Sequence, residues 1–368
     1  MPIFADLPGM SRTQLRRSRL GWSLLSFGVL GALGLSLVPS PYVIEVPGPV
    51  FDTLGDVEVQ DEKVPLIAIS DQEEFPTDGT LSLLTVSVVG NREVQPSWLK
   101  VITAWADPSK AVVPIESVYP AGVTLEQSQE RSAIDMQNSQ KDAIAAALTK
   151  LGHELESTLT VAGLSPDSPS DGLLKAGDEI LRVNGDTPVD VNQMRAIIAE
   201  NGTDTPVAMA ILRDGALSSV LVTPVSGEGP DAAPMVGVAV ETAYDFPFEV
   251  EIQLEKVGGP SAGMMFALGI IDKLTPGELN GGLDVAGTGT ITADGLVGPI
   301  GGIRQKLHGA QHSGAEYFLA PAANCGEVTG HVPDGLTVFA VETLDDSLAA
   351  LETLASGGDT SALPSCDN

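Results

Sequence analysis

Histidine, cysteine and basic residues are scarce in this chain. Its 368 residues include 4 histidines and 2 cysteines, and 19 lysines and arginines stand against 49 aspartates and glutamates. The formal charge of −30 argues against a nucleic-acid-binding protein, because few basic side chains can neutralise phosphates. The histidines lack the spacing of metal ligands, so neither a metal site nor another cofactor is predicted. They are His153, His308, His312 and His331.

The two cysteines, Cys325 and Cys366, leave two alternatives open. In an oxidising compartment they form a disulfide that ties the C-terminal tail to the last domain. Otherwise they are two free thiols, one of them in a mobile tail. We expect the tail after Ser356 to be loose apart from such a tether.

One long uncharged run is present near the N-terminus. Residues 20–38 contain no charged side chain over nineteen positions, which is just long enough to cross a bilayer as a helix. Four arginines precede the run and an acidic body follows it, so we expect residues 1–19 in the cytoplasm and the bulk of the chain outside it. A cleaved secretory signal is the alternative, although residues 37–41 lack a small-x-small cleavage site.

The length allows two or three domains. Alternating apolar runs within residues 41–123 predict a β-rich extracytoplasmic region. The strands expected there are Leu66–Ile69, Thr80–Val89 and Ala111–Ile115. Residues 124–155 carry a helical apolar stripe, and Gly152 is expected to cap that helix at its C-terminal end.

Residues 156–226 predict a separate small β-rich domain. A short turn before Gly177-Asp178, a strand, the tight turn Asn184-Gly185, a helix at 191–200 and a strand at 206–213 follow one another. This order closely resembles a PDZ domain of the type found in bacterial envelope proteases. Such domains capture extended peptides at a sheet edge. Residues 159–164 match the carboxylate-binding loop of PDZ domains only loosely. A PDZ-like spacer that binds no ligand is therefore the alternative.

Residues 226–234 have the composition of a linker, and residues 235–354 predict a compact α/β domain. Its apolar pattern predicts helices at 262–274, 303–313 and 344–354. A strand is expected at 248–254, a hairpin at 291–298 and a buried strand at 317–320. Residues 355–368 form the tail. The overall prediction is an α+β multidomain chain with an N-terminal transmembrane helix.

A serine lies in a glycine-rich turn at the start of an apolar helix of this last domain. The segment Gly259-Pro260-Ser261-Ala262-Gly263 matches G-x-S-x-G, the nucleophile elbow of α/β-hydrolases. That enzyme class needs an acidic residue and then a histidine downstream. Only about a hundred residues remain after Ser261, which is too few for an α/β-hydrolase core.

A lysine is the other group able to activate this serine, provided that burial keeps its amine neutral. Lys256 lies on the approaching strand and Lys273 at the far end of the helix. Lys306 follows the glycine-rich segment Gly298-Pro-Ile-Gly-Gly302, which permits close backbone approach. We therefore predict Ser261 and Lys306 as the catalytic pair. The predicted oxyanion donors are backbone N–H groups of residues 259–262, and the positive helix end at Ser261 should also lower the amine pKa.

These segments together resemble the proteolytic domain of Lon proteases. The resemblance rests on three blocks in the family's order and separation: residues 258–263, 286–292 and 298–306. It implies that Ser261 and Lys306 form a serine–lysine dyad and that Thr288 lies beside the lysine. Arg304 stands at the first basic position of the last block. Two further departures are glycine at position 258 and threonine at position 290, where acidic residues are usual in the family.

The order of anchor, PDZ domain and Lon-type domain resembles the membrane-anchored, ATPase-lacking Lon-like proteases of Gram-positive bacteria. That resemblance implies an ATP-independent serine endopeptidase that cleaves unfolded or exposed segments of envelope proteins. It also implies a homo-oligomer, a hexamer. The pattern G-x-x-x-x-G-K-[ST] is absent from the sequence, so the chain carries no P-loop for ATP. A catalytically inactive scaffold that binds partner proteins is the alternative function.

Overall fold

The computed structural model describes residues 12–59, 61–120, 122–227, 233–254 and 257–366. The helices of this part of the chain are α1 Arg12–Leu37, α2 Trp98–Trp105, α3 Ile115–Val118, α4 Leu125–Lys150, α5 Val191–Asn201, α6 Gly263–Leu274, α7 Ile303–Ser313, α8 Cys325–Val328 and α9 Leu344–Ala355. The first strands are β1 Tyr42–Asp52, β2 Asp56–Val59, β3 Glu62–Pro65, β4 Ile67–Ile69, β5 Thr80–Val89, β6 Ala111–Pro114, β7 Ser157–Leu164, β8 Glu179–Val183, β9 Val207–Arg213 and β10 Ala216–Val222. The later strands are β11 Val225–Ser226, β12 Pro234–Met235, β13 Val238–Tyr244, β14 Val250–Ile252, β15 Asp284–Gly287, β16 Thr290–Ile291, β17 Val297–Gly298, β18 Tyr317–Pro321 and β19 Thr337–Val341.

The chain divides into two compact units. The first comprises Met1–Val46 and Val88–Ala121, and the second comprises Pro47–Ser87 and Gly122–Asn368. In the first unit, residues 42–45 of β1 pair antiparallel with β6. The ring of Tyr42 lies 5.8 Å from that of Trp98 and 6.4 Å from that of Trp105, both in edge-on geometry.

The predicted transmembrane segment, residues 20–38, falls on α1. Among the helices in the described ranges, none combines the length and the apolar character needed to cross a lipid bilayer. The structure therefore does not support the predicted span. Residues 1–11 lie outside the described residues.

The second unit contains a sheet with the strand order β19-β18-β15-β5-β1. Strand β15 runs parallel to both β18 and β5, and β18 runs parallel to β19. Helix α6 is buried against this sheet because its side chains are apolar all round, with Phe266, Leu268 and Ile270 fully buried. Strand β5 begins and ends as predicted. The sequence pattern did not show that it pairs with β15, two hundred residues further along the chain.

The PDZ-like part of the second unit has the strand order β10-β9-β8-β7-β13. Alternate residues of β9, Val207, Met209 and Ile211, are fully buried, as expected for a strand with one face on a core. The last strand, β13, comes after the predicted limits 156–226. It pairs along the whole length of β7, so the segment 159–164 is an interior strand and β13 forms the edge.

Helix α4 covers residues 125–150 of the segment 124–155 that was predicted to be helical, and it begins with a capping box. Thr124 accepts a hydrogen bond from the Gln127 N–H, and the Gln127 side chain accepts one from the Thr124 N–H. Its apolar positions Met136, Ala143 and Ala147 recur at helical spacing and are buried. The helix contacts both α6 and β13.

The C-terminal tail differs from the prediction. Cys325 and Cys366 form a disulfide, as predicted for an oxidising compartment. However, the segment before Cys366 is not loose, because the Ala340 N–H donates to the Pro364 carbonyl over 2.9 Å. In addition, the Thr329 hydroxyl donates to the Cys366 carbonyl over 2.6 Å. Strand β19, on which this tail packs, was not predicted from the sequence.

Candidate active site

Ser261 lies in a turn between β14 and α6. Gly259 has a φ of +83°, a conformation that costs little only for glycine. Helix α6 begins at Gly263, its N-cap is Ala262, and no side chain caps it. Ser261 is therefore not a helix cap, and its hydroxyl is available for another role.

Helix α4 presses closely against this turn. A Cβ at position 258 would lie 2.7 Å from the Ser132 Cβ, and one at position 263 would lie 2.8 Å from the Ser139 Oγ. Such approaches exclude a side chain at either position. They explain why glycine stands at position 258, where the resembling family has an acidic residue.

Two hydrogen bonds join α4 to the same turn. The Ser139 hydroxyl donates to the Pro260 carbonyl over 2.9 Å, and the Gly259 N–H donates to the Ser132 carbonyl over 2.9 Å. Sequence reasoning missed both serines. The available signal was a polar pair, Asn138-Ser139, interrupting the apolar stripe of a predicted helix.

Lys306 reaches Ser261 from the first turns of α7. The ammonium Nζ donates to the Ser261 Oγ over 2.7 Å and to the Thr288 Oγ1 over 2.8 Å. The close approach depends on Gly302, where a Cβ would lie 2.7 Å from a methyl group of Val86. The structure thus brings the two residues of the predicted dyad together.

The Lys306 side chain is buried, with 2% of its surface exposed. Burial lowers its pKa from 10.5 to about 7, because an apolar environment destabilises the charged amine. Burial is the cause of this shift, and the predicted contribution of a helix end is not needed. At neutral pH a large fraction of the amine is therefore unprotonated.

Thr288 orders both members of the pair. Its hydroxyl accepts from Lys306 and donates to the Ser261 carbonyl over 2.8 Å. The Gly289 N–H donates to the same carbonyl over 3.0 Å. These bonds fix the main chain at Ser261, and Thr288 lies beside the lysine as the resemblance implies.

The predicted oxyanion donors need one correction. The Gly259 N–H is engaged by the Ser132 carbonyl and does not point freely toward a substrate. Within the described ranges, the N–H groups of Ser261 and Ala262 have no hydrogen-bond acceptor. These two groups are the candidates that remain for holding a negative oxygen.

The other candidate bases lie elsewhere. Lys273 pairs with Glu74 over 3.2 Å, and Lys256 lies outside the described residues. Arg304 is exposed and its Nε donates to the Glu327 carbonyl over 3.3 Å. Lys306 is therefore the amine that meets the Ser261 hydroxyl in the part of the chain that the structure describes.

The histidines do not complete a hydrolase triad around Ser261. His308 and His312 lie on α7 with their rings 6.4 Å apart, and the His331 Nδ1 lies 3.1 Å from the Thr329 carbonyl oxygen. The group that contacts the Ser261 hydroxyl is an amine. Ser261 is therefore paired with an amine and not with an imidazole.

Comparison with known proteins agrees with this geometry. Residues 255–353 match the model of the Lon protease (S16) C-terminal proteolytic domain, and residues 117–212 match the PDZ domain model. Lon protease 2 of Herpetosiphon aurantiacus is 44% identical over 93 residues, which are 24% of this chain and 11% of that protein. Lon protease 1 of Sorangium cellulosum is 38% identical over 94 residues, which are 25% of this chain and 11% of that protein.

The Lon protease of Geobacter metallireducens is 35% identical over 116 residues, which are 30% of this chain and 14% of that protein. The chain thus spans only a small part of the length of these relatives. A solved PDZ domain of an SdrC-like protein from Listeria monocytogenes matches 22% of this chain and 85% of its own, at 16% identity and a TM-score of 0.21. The two family models and the relatives agree that this chain carries a PDZ domain and, over residues 255–353, a Lon-type serine protease domain.

Proposed function

We propose that this protein is a membrane-tethered, ATP-independent serine endopeptidase that cleaves unfolded or exposed segments of envelope proteins. The observation that carries the proposal is the 2.7 Å contact between the Lys306 Nζ and the Ser261 Oγ, made by an amine whose pKa burial lowers to about 7. A buried amine in this position serves as a base rather than as a surface charge.

The reaction begins with neutral Lys306. Its Nζ takes the proton from the Ser261 hydroxyl while the Oγ attacks the carbonyl carbon of the scissile peptide bond. The negative oxygen of the tetrahedral intermediate is held by the N–H groups of Ser261 and Ala262, each such donor being worth about 3 kcal/mol. The protonated lysine then gives its proton to the leaving amine, and an acyl-enzyme remains.

The second half repeats these steps with water. Lys306, neutral again, takes a proton from a water molecule that attacks the acyl carbon. Collapse of the second intermediate returns the proton to the Ser261 Oγ and releases the new carboxyl end. Thr288 keeps the Nζ directed at the Oγ throughout, because its hydroxyl accepts one of the amine hydrogens.

The PDZ domain supplies substrate recruitment in this proposal, by adding an extended peptide as a strand. ATP independence is supported by the missing P-loop in the sequence. The tether and the extracytoplasmic location rest on the uncharged run 20–38 and the preceding arginines. Assembly into a homo-oligomer rests on the family resemblance.

Covalent labelling tests the proposal directly. The full-length chain in detergent is treated with a fluorophosphonate, and the labelled residue is located by mass spectrometry. We expect label on Ser261 in the wild type, none in Ser261→Ala, and unchanged labelling in the control Ser218→Ala, which alters an exposed serine of β10. Loss of casein cleavage should follow the loss of label. Cleavage that persists in Ser261→Ala would refute the assignment, and an unlabelled wild type would favour the inactive scaffold.

A further inference from the structure

Strand β13 and helix α5 form two walls of the PDZ domain between which an extended peptide would bind. The strand is at the edge of its sheet, and sheet edges are where PDZ domains add a ligand strand. Helix α5 follows β8 in the chain and also contacts β13. A free edge of this kind is expected to offer main-chain groups to a peptide.

In this protein α4 already contacts both walls. On the β13 side, the Asn138 Nδ2 donates to the Val240 carbonyl over 3.1 Å, and the Tyr244 hydroxyl donates to the Asp142 Oδ1 over 2.7 Å. The Val240 carbonyl is a main-chain acceptor that a ligand strand would need, and it is already occupied by a donor from α4.

On the α5 side, two contacts lie close by. The Asn192 Nδ2 donates to the Asp142 Oδ2 over 3.3 Å, and the Arg195 guanidinium lies 3.6 Å from the Asp135 carboxylate. The cavity remaining between α4, α5 and the turn at residues 257–262 has a volume of about 10 Å³, which is at most the space of one water molecule. Helix α4 thus packs against both walls and leaves little room beside α5.

The adjacent face of α4 holds the turn that carries Ser261, residues 257–262, through Ser132 and Ser139. Helix α4 consequently connects the ligand edge of the PDZ domain to the residues around Ser261. Neither serine belongs to the segment that matches the Lon-type proteolytic domain, residues 255–353.

We propose that α4 is the resident occupant of the PDZ groove and that it positions the nucleophile turn, with Ser139 as a positioning residue. A peptide that adds to β13 has to displace α4 and thereby loosens the turn. The PDZ domain then controls the rate of the protease as well as its choice of substrates. This inference rests on the proposed protease function.

The α4 contact carries features of a displaceable one. Among the described residues, the Asn138 Oδ1 and the Thr242 Oγ1 are buried polar atoms that lack a hydrogen-bond partner. Buried groups without partners destabilise the arrangement that buries them. A ligand strand that satisfies β13 better than α4 does would compete on favourable terms.

The experiment weakens the two sets of α4 contacts one at a time. The PDZ side is weakened by Asn138→Ala and, from the other wall and without altering α4, by Arg195→Ala. The turn side is weakened by Ser139→Ala. Gln129→Ala, at an exposed position of α4, is the matched control. Amide hydrogen exchange is followed over residues 257–262, together with kcat and KM for a short fluorogenic peptide.

We expect Asn138→Ala to raise exchange both in α4 and over residues 257–262 by about tenfold. Arg195→Ala should raise it in the same segments but by less, because it removes a largely exposed ion pair. In both variants kcat should fall with KM unchanged, since the turn is disordered and the substrate contacts are kept. Ser139→Ala should raise exchange over 257–262 only and lower kcat likewise. Gln129→Ala should match the wild type.

Unchanged exchange and kcat in both PDZ-side variants would overturn the inference, even if Ser139→Ala lowers kcat. Failure of the proposed function has a different signature, because the wild type would then not cleave the peptide at all. The exchange over residues 257–262 would still decide whether α4 transmits a change from the PDZ side to the turn.

Discussion

The carboxylate of Asp190 joins the PDZ domain to the backbone of Ala293 in the protease part of the chain. Its Oδ2 accepts from the Ala293 N–H over 2.9 Å, and its Oδ1 accepts from the Gln193 N–H over 2.6 Å as the N-cap of α5. Asp190 is fully buried. One side chain thus caps a PDZ helix and accepts a main-chain hydrogen bond from the loop between β16 and β17.

Asp190→Ala should destabilise the protein by about 2–4 kcal/mol, since it removes a helix cap and leaves the buried Ala293 N–H without an acceptor. Asp190→Ser should restore part of this loss, because its single oxygen can cap α5 but cannot also reach Ala293. Urea unfolding monitored by circular dichroism measures both. Equal stability of the alanine variant and the wild type would show that the two bonds contribute nothing.

The pH profile of peptide cleavage should reveal the titration of Lys306. The base must be neutral, and burial lowers its pKa to about 7, so kcat/KM should rise about tenfold per pH unit below pH 7 and level off above about pH 8. Lys306→Arg should be inactive at every pH, because arginine stays protonated. A profile that is flat from pH 5.5 to 8 would exclude this lysine as the base.

Burial of Lys306 should also cost stability in a pH-dependent way. Its pKa is lowered on folding, so between about pH 7 and 10.5 the unfolded chain binds more protons and wild-type stability rises with pH. The inactive variant Lys306→Met avoids the penalty. We expect it to be about 2–4 kcal/mol more stable than the wild type below pH 7, after allowing for its lost hydrogen bonds.

The advantage of Lys306→Met should shrink as the pH approaches 10. Chemical unfolding of both proteins at pH 6, 8 and 10 provides the comparison, and Leu307→Met is a control that adds the same side chain at a buried position next to the dyad. A difference that does not vary with pH would contradict the lowered pKa.

The part of the site that the sequence could predict is the part made by local patterns. Glycine-rich turns at 258–263 and 298–302 mark where backbones approach, and they led to Ser261 and Lys306. The same local signals gave α6 and α7 to within a residue. Contacts between distant segments left no such signal. The pairing of β5 with β15, the edge position of β13 and the seating of α4 on the turn all depend on tertiary packing.

Asp142 gives a second pH dependence, of opposite sign. Burial raises its pKa to about 7, with Asp190 contributing in the same direction, while the bond from Tyr244 and the charges of Arg195 and Lys141 oppose the shift. Between about pH 4 and 7 the folded chain holds a proton that the unfolded chain releases. Stability from this group therefore falls as the pH rises through that window and stays low above it.

Asp142→Asn should imitate the protonated form. We expect the variant to exceed the wild type in unfolding free energy by up to about 4 kcal/mol at pH 8 and to match it near pH 4. Thermal unfolding at the two pH values measures the difference. If the variant is less stable at pH 8, the ionised carboxylate is a stabilising group in this site, contrary to the raised pKa. The pH profile of cleavage should stay unchanged in Asp142→Asn, which separates this group from Lys306.

The Cys325–Cys366 disulfide should stabilise the fold without taking part in catalysis. It joins positions separated by 41 residues, and closing a loop of that length is worth at most about 4 kcal/mol in the chain-entropy model. Cys366→Ser should lower the unfolding free energy by up to that amount. Cleavage at 25 °C should persist, since Ser261 and Lys306 are held by Thr288 and α4.

Because Cys325→Ser breaks the same bond, the two single variants and the double variant should lose similar stability. Denaturant unfolding of the three variants, with and without a reductant, checks this. A double variant that loses the sum of the two single losses would mean that the thiols act separately, and a wild type unaffected by reduction would mean that the bond contributes no stability.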